Sequence, residues 1–297
     1  MTSKDYKYFI VDDKVVIDEY LGNDPDVKIP ETIDGKRVTS IGSYAFSGCA
    51  EITSVTVPDG VTSIDELAFV GCHNLKQAII PKSVESIGSK AFAYCYELEK
   101  IEIPENVTKI GDWAFRECSS LTDVTISNGV TSIGDYAFVY CTELKNVVIP
   151  NSVTSIGEGA FECCKNLTSI DIPNGVKSIG YFAFDHCDSL ESVIIPNSVE
   201  SIDPAFSGCR NLKSVTCTKE QHEMLVKGRS FTEEQLKKIK FPNARTNNPL
   251  FSHQSNNNGN KRVADQINAA QEAAKSAPAG RDNKTKNEVN KDNPAFE

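Results

Sequence analysis

The sequence of 297 residues is short of features that mark several classes of protein. No apolar run approaches the ~20 residues that a membrane-spanning helix requires, so no membrane span is predicted. The body also lacks basic residues: 1–218 holds 17 Lys and Arg against 31 Asp and Glu, whereas 219–297 holds 14 against 10. The resulting net charges of −14 and +4 argue against nucleic acid as the main partner, because no basic surface is left to neutralise phosphates.

Two further absences concern export and metal binding. The stretch from Met1 to Lys7 lacks the apolar core of a secretory signal, which predicts a cytoplasmic protein. No Cys-x-x-Cys pair occurs, so the usual zinc-ligand spacing is missing and neither a metal nor a cofactor is predicted.

The sequence does contain a strict repeat. Eight of its 10 cysteines follow one another at intervals of 23 residues, shortened to 22 in the last: Cys49, Cys72, Cys95, Cys118, Cys141, Cys164, Cys187 and Cys209. Columns of phenylalanine, isoleucine and proline keep the same period. Such self-similarity indicates a repeat architecture and takes precedence over any local motif.

One repeat cannot bury its apolar side alone, whereas stacked repeats share one continuous core. The stretch 144–149 alternates like a half-buried strand and ends at Pro150, and 153–156 is a second short extended piece. Gly157 permits a tight bend, and the apolar spacing over 160–164 is typical of a helical turn. These features predict an α/β repeat solenoid with parallel strands on one face and short helical turns and strands on the other.

The repeat unit resembles a known family. Written out from Val130 to Leu144 as VTSIGDYAFVYCTEL, it is similar to the BspA-type leucine-rich repeat, the 23-residue Treponema pallidum-like class. The resemblance covers eight copies over 38–217 and implies a right-handed leucine-rich repeat coil, capped at both ends. It also implies a surface-exposed or secreted binding protein such as an adhesin, in contrast to the location that the missing signal predicts.

The repeat sets the expected domain boundaries. Residues 1–37 are predicted to form an N-terminal β cap that begins with a hairpin, followed by the eight leucine-rich repeats over 38–217. A capping-box pattern that starts at Thr218 opens a helical C-terminal cap over 218–242. The Asn-rich composition of 243–297 predicts a disordered tail, in which propensity favours a short helix at 261–276.

The cysteine column has two interpretations. One is a set of disulfides or metal ligands, and the other is a core ladder in which each thiol packs as a small hydrophobe. Stacked side chains point the same way into the core, which is poor geometry for a disulfide. We therefore interpret the column as a structural core ladder of reduced cysteines.

Two arrangements of residues are candidates for a catalytic centre. Cys163 and His186 occupy neighbouring coils and resemble a nucleophile and its base, but a solenoid surface offers no pocket for the other groups that such catalysis needs. Both are therefore expected to be ordinary surface residues. Glu102 and Asp171 stand three coils apart, about 14 Å at ~4.8 Å per coil, whereas glycosidase carboxylates lie about 5–9.5 Å apart. No catalytic residue is predicted.

Two columns are candidates for binding. An outward strand position recurs in every coil and forms the outer ribbon: Thr56, Ile79, Glu102, Thr125, Val148, Asp171 and Ile194. Solenoids use such faces for recognition, and exposed apolar residues beside charged ones suit a protein partner. A weaker candidate, the aromatic column on the convex side, consists of Tyr44, Trp113, Tyr136 and Phe182, with Tyr94 and Tyr140 nearby. Either surface can instead be purely structural, with rings that lie flat on neighbouring coils.

Together these features predict a non-enzymatic, monomeric recognition scaffold whose strand face binds a protein or a glycan. The alternative is an adhesin or virulence-type binding protein that is exported without a classical signal. A hydrolase is a less favoured alternative, and a purely structural spacer is the third class of function.

Overall fold

The computed structural model describes residues 3–231 and 233–237. The predicted tail over 243–297, with its helix at 261–276, lies outside the described residues, as does the end of the expected C-terminal cap. In the part that is described, no helix has the length and apolar character needed to cross a membrane.

The described chain consists mainly of short strands. A 3-10 helix, Ser3–Asp5, leads into the N-terminal strands β1 (Tyr6–Val11), β2 (Lys14–Tyr20), β3 (Asp26–Lys28), β4 (Thr32–Ile33) and β5 (Lys36–Ile41). A longer and a shorter strand then alternate: β6 (Ser54–Thr56), β7 (Ser63–Ile64), β8 (Gln77–Ile79), β9 (Ser86–Ile87), β10 (Lys100–Ile103), β11 (Lys109–Ile110), β12 (Asp123–Ile126), β13 (Ser132–Ile133), β14 (Asn146–Val148), β15 (Ser155–Ile156), β16 (Ser169–Asp171), β17 (Ser178–Ile179), β18 (Ser192–Ile194), β19 (Ser201–Ile202) and β20 (Ser214–Thr216). Two helices follow, α1 (Lys219–Lys227) and α2 (Glu233–Leu236).

Successive coils pair in parallel on two sides. The first side carries a six-stranded sheet of β3 and the even-numbered strands β6–β14, and a three-stranded sheet of β16, β18 and β20. The second side carries an eleven-stranded sheet that starts with β1 and β2 and runs through the odd-numbered strands β5–β19, with β4 beside β5. Ser155 pairs with Ser178 and Ile156 with Ile179, so the register equals one repeat. The predicted parallel-stranded solenoid is confirmed.

The third side of each coil is a ladder of turns. In one coil the N–H groups of Leu67, Phe69 and Gly71 donate to carbonyls of residues 89, 91 and 93 in the next coil, at 2.8–2.9 Å. The intervening residues donate to the carbonyl three positions back in their own coil. The helical turn predicted over 160–164 is therefore not formed. A helix directs every N–H along its own axis and would leave neighbouring coils without these bonds.

Two columns of this turn ladder have left-handed backbone, with φ between +53° and +72°. The first is Tyr44, Leu67, Lys90, Trp113, Tyr136, Gly159 and Phe182, and the second is Gly48, Gly71, Tyr94, Glu117, Tyr140, Cys163, His186 and Gly208. Left-handed backbone costs an L-residue ~1–2 kcal/mol, which explains why glycine occurs once in the first column and three times in the second.

The turn predicted at Gly157 begins there, since the Gly157 carbonyl accepts the N–H of Ala160 at 3.4 Å, but the left-handed residue of this turn is a later one. Gly157 does not take a positive φ, whereas Gly159 does, at +54°. A Cβ at Gly157 would stand 2.5 Å from Asp135 Oδ1 and 2.7 Å from the carbonyl carbon of Gly134. Glycine is therefore needed at 157 because two coils approach closely.

A stack of phenylalanine rings fills the core. The rings of consecutive coils have centroids 4.8–5.5 Å apart and planes within 18° of parallel. Tyr20 continues the stack from Phe46 at the N-terminal end, at 5.1 Å, and Phe231 continues it from Phe206 at the other, at 6.0 Å. Both ends thus cover the outermost core ring with another aromatic side chain.

The C-terminal end begins with the capping box that the sequence predicts. Thr218 accepts a hydrogen bond from the N–H of Gln221, whose side chain accepts one from the N–H of Thr218. The Gln221 amide also donates to the carbonyls of Pro196 and Val199, at 2.8 and 3.1 Å. One buried side chain therefore both starts α1 and ties it to the last coils.

The cysteine column forms a hydrogen-bonded ladder. From Cys72 onward each thiol donates to the carbonyl of the phenylalanine in the preceding coil, for example Cys72 to Phe46 at 3.0 Å and Cys118 to Phe92 at 3.2 Å. All ten cysteines are free thiols. Cys49, at the start of the column, is only half-buried. A small thiol thus supplies both apolar bulk and a donor for a buried carbonyl.

Burial changes the acidity of these thiols. It raises the pKa of Cys72 and of Cys209 to about 12, and it raises the pKa of Cys118 and Cys164 well above the ordinary value. The folded protein therefore keeps its core thiols protonated through the pH range in which unfolded thiols ionise.

We expect the free energy of unfolding to fall as the pH rises above about 8.5, the pKa of an unfolded thiol. In the window between that value and the raised folded pKa values, only the unfolded state releases protons. Each buried thiol then contributes a loss of about 1.4 kcal/mol per pH unit. Urea denaturation under reducing conditions at a series of pH values measures this slope. Cys118→Ala should reduce the slope by one proton, and an equal slope in both proteins would contradict the prediction.

The turn ladder gives a matched pair of glycine substitutions. Gly71→Ala adds a Cβ with no atom closer than 3.6 Å, so only the left-handed strain remains and we expect a loss of about 1 kcal/mol. Gly159→Ala adds the same strain and places its Cβ 2.3 Å from the Tyr136 ring, which should cost about 1–3 kcal/mol more. Chemical denaturation measures the free energy of unfolding of both variants. Equal losses would show that the Tyr136 ring moves aside without cost.

Candidate recognition surface

The outer ribbon is assembled by strand pairing on the first side of the solenoid. Thr56 pairs with Ile79, Glu102 with Thr125, and Thr125 in turn with Val148. Further along, Asp171 pairs with Ile194. Between Val148 and Asp171 the six-stranded and three-stranded sheets are separate. The predicted positions therefore form one column. Its strand pairing is interrupted once, between Val148 and Asp171.

The ribbon presents apolar side chains to solvent. Ile79 is 50% exposed and Ile194 43% exposed, although each lies in a strand whose inward neighbour is buried. Glu102 and Asp171 are exposed on the same column, whereas Val148 is half-buried. Large aliphatic side chains that stay in water next to carboxylates are typical of a surface that binds a protein.

Ion pairs flank the ribbon on the same side. Lys100 Nζ lies 3.8 Å from Asp123 Oδ2, and Lys213 Nζ lies 2.7 Å from Glu191 Oε1. All four side chains are exposed enough for water to screen these pairs, so their contribution to stability is small. They border the apolar positions with charges of both signs.

The aromatic column on the turn ladder is largely structural at its centre. The rings of Trp113 and Tyr136 are stacked, with centroids 4.2 Å apart. Tyr136 covers Gly159 and donates its hydroxyl proton to Glu158, and this bond raises the Tyr136 pKa to about 12. These rings lie flat on neighbouring coils.

The residues at the ends of the aromatic column, and Tyr140 beside it, are more exposed than its centre. Tyr44 and Phe182 are 57% and 40% exposed, and Tyr140 is 43% exposed. The guanidinium of Arg116 lies 5.2 Å from the Tyr94 ring and 4.9 Å from the Trp113 ring, so it links the two columns by cation–π contacts. Within the described residues the column is thus interrupted and offers a less continuous surface than the outer ribbon.

Cys163 and His186 are neighbours, but Cys163 is not the surface residue that the sequence suggests. It is 7% exposed, and its N–H donates to the carbonyl of Asp185 at 2.8 Å. Burial also raises the pKa of its thiol. The thiolate that nucleophilic catalysis requires is therefore disfavoured at this position.

A buried carboxylate beside this pair was missed by the sequence analysis. Asp185 is 8% exposed, burial raises its pKa, and its Oδ2 lies 3.8 Å from His186 Nε2. Its column contains Ala93 and Val139, both buried, in earlier coils. The same column also holds a partly exposed acid one coil earlier, Glu162, so the repeat alignment carries no signal that Asp185 is buried. In the described part of the chain, no three His, Cys, Asp or Glu side chains are grouped so as to hold a metal ion.

The comparisons with known proteins agree with this geometry. A family model described as a BspA type leucine rich repeat region of six copies matches residues 26–145 and 131–258. Among solved structures, the leucine rich repeat protein of T. pallidum is 30% identical, with 71% of this chain and 90% of that chain covered and a TM-score of 0.60.

A leucine-rich repeat protein from Bacteroides ovatus is 32% identical over 72% of this chain, with a TM-score of 0.59. The chain spans 64% of that protein's length. No curated protein matches the sequence significantly.

Proposed function

The chain belongs to the BspA-type leucine-rich repeat family, and on that premise we propose that its outer ribbon is the surface by which it binds another protein. Repeat proteins of this kind are in general binding scaffolds without catalytic activity, because stacked coils offer long surfaces and few enclosed pockets. The specific proposal concerns which of the three sides of the solenoid is used.

The observation that supports the ribbon most directly is the exposure of Ile79 and Ile194. Each is held by strand pairing at a fixed position, and each leaves about half of its side chain in water. Burial of such side chains by a partner is favourable at ~25 cal/mol per Å² of apolar surface. Because the sheet fixes their positions, little conformational entropy is lost on binding.

The charges on the ribbon support selectivity. Glu102 and Asp171 stand on the same column as the two isoleucines, and a partner with basic residues at matching intervals would be attracted to them. The other two sides are less suited to this role. On the second side the outward strand residues are mostly serine, as at Ser132, Ser155 and Ser178, and offer a partner little apolar area. On the third side the aromatic column is interrupted.

We expect the double variant Glu102→Lys, Asp171→Lys to lose its partner. Affinity capture from the native cell with the full-length chain, quantified by mass spectrometry, identifies proteins retained by the wild type. Reversal of both charges should weaken the binding of the true partner by about tenfold or more. Isothermal titration calorimetry with the identified protein measures that ratio.

The matched control is Glu85→Lys, Glu200→Lys. It makes the same change of net charge, but these exposed residues immediately precede β9 and β19 on the second side. A partner that binds both double variants as tightly as the wild type would refute the proposal that the outer ribbon is the binding surface. Glycan recognition is the competing proposal, and ribbon-dependent binding to a glycan array without any captured protein would favour it.

A further inference from the structure

The two ends of the second sheet are closed differently. At the C-terminal end α1 packs beside β19, and Gln221 is hydrogen-bonded to main-chain carbonyls there. At the N-terminal end, among the described residues, β1 pairs only with β2 and is the outermost strand. An outermost strand presents unpaired main-chain groups on which another strand can form.

The side chains of β1 do not protect this edge. Phe9, Ile10 and Val11 are consecutive and are 57%, 50% and 54% exposed. Consecutive residues of a strand point to opposite faces, so both faces of β1 are apolar at this point. Natural sheet edges are usually protected by several charges or a proline, whereas β1 contains Lys7 as its one charged residue and no proline.

One hydrogen bond shows which main-chain groups of β1 face the open edge. Gly42 donates its N–H to the carbonyl of Ile17 at 2.8 Å, so the main chain of Ile17 faces β5. Since orientation alternates along a strand, Val16 faces β1 and is bonded to its partner Phe9. Tyr8 and Ile10, on either side of Phe9, therefore direct their N–H and C=O groups away from β2.

We propose that β1 is a self-association site at which a second copy of this chain adds its own β1 in the antiparallel direction. With the two-fold axis at Phe9, Tyr8 lies opposite Ile10 of the second copy, and the same pair recurs by symmetry. Each such pair exchanges two main-chain hydrogen bonds. The exposed Phe9 side chains meet across the axis on the outer face, and Tyr8 and Ile10 meet on the inner face.

The charges near the two ends of β1 favour a second copy of this chain as the partner and favour the antiparallel direction. Lys7 stands near the start of β1, and the turn that follows the strand contains Asp12 and Asp13. Antiparallel self-pairing brings the ammonium, which already contacts Glu19, towards Asp12 in the turn of the second copy, where Asp13 already contacts Lys36. Parallel pairing would place like charges side by side, which is unfavourable.

Sedimentation velocity of the full chain over a range of concentrations tests the proposal. The mass should rise from 32.5 kDa towards 65 kDa, twice the chain mass, with micromolar affinity because the interface is small. Ile10→Pro removes an N–H that faces the open edge and not β2, so the fold should persist. The Ile10→Pro substitution should weaken association by about tenfold or more. A wild-type mass that stays at 32.5 kDa at every concentration would overturn the proposal.

A cross-linking variant provides an independent readout. Phe9→Cys places two cysteines across the axis at a Cα separation of about 4.5 Å, which a disulfide can span. Val226→Cys, at an exposed position of α1 near the other end, is the matched control. Under mild oxidation the first variant should give a covalent dimer on non-reducing electrophoresis and the control should not. Equal cross-linking of the two, or unchanged association of Ile10→Pro, would show that β1 is not the contact.

Discussion

The register of one coil on the next is the constraint on which the structure depends, and the pairing of phenylalanine with cysteine fixes it in the core. The Phe46 carbonyl accepts the N–H of Cys49 in its own coil at 3.2 Å and the thiol of Cys72 in the next coil at 3.0 Å. The rings of the same phenylalanines stack directly on one another. A shift by a single residue would break both contacts in every coil, so the 23-residue spacing propagates through the whole solenoid.

Because the register is fixed, each surface position becomes a column along the solenoid, and its use depends on what neighbouring coils place beside it. The outer ribbon keeps Ile79 and Ile194 exposed because strand pairing holds the backbone flat and leaves the outward side chains without a covering element. The turn ladder brings its side chains closer together. Trp113 therefore stacks on Tyr136, whose ring in turn covers Gly159.

The turn ladder also carries the conformational cost of the fold. Each of the first seven coils places two residues in left-handed backbone, and the eighth places one, so that alternate N–H groups reach the next coil. Where these residues are not glycine, as at Tyr94, Glu117 and Cys163, the inter-coil hydrogen bonds offset a cost of ~1–2 kcal/mol each.

The amino-acid sequence alone was enough to predict the solenoid, its period, the Phe and Cys core columns and the capping box at Thr218, because periodic burial of apolar side chains is visible in the order of the residues. It also indicated which strand positions form the outer ribbon. The folded structure was needed to show that the third side is a ladder of turns, that glycine is required at 157 by the close approach of two coils, and that Asp185 is buried. These features depend on hydrogen bonds and contacts between residues about 23 positions apart, and local propensity does not encode such distant contacts.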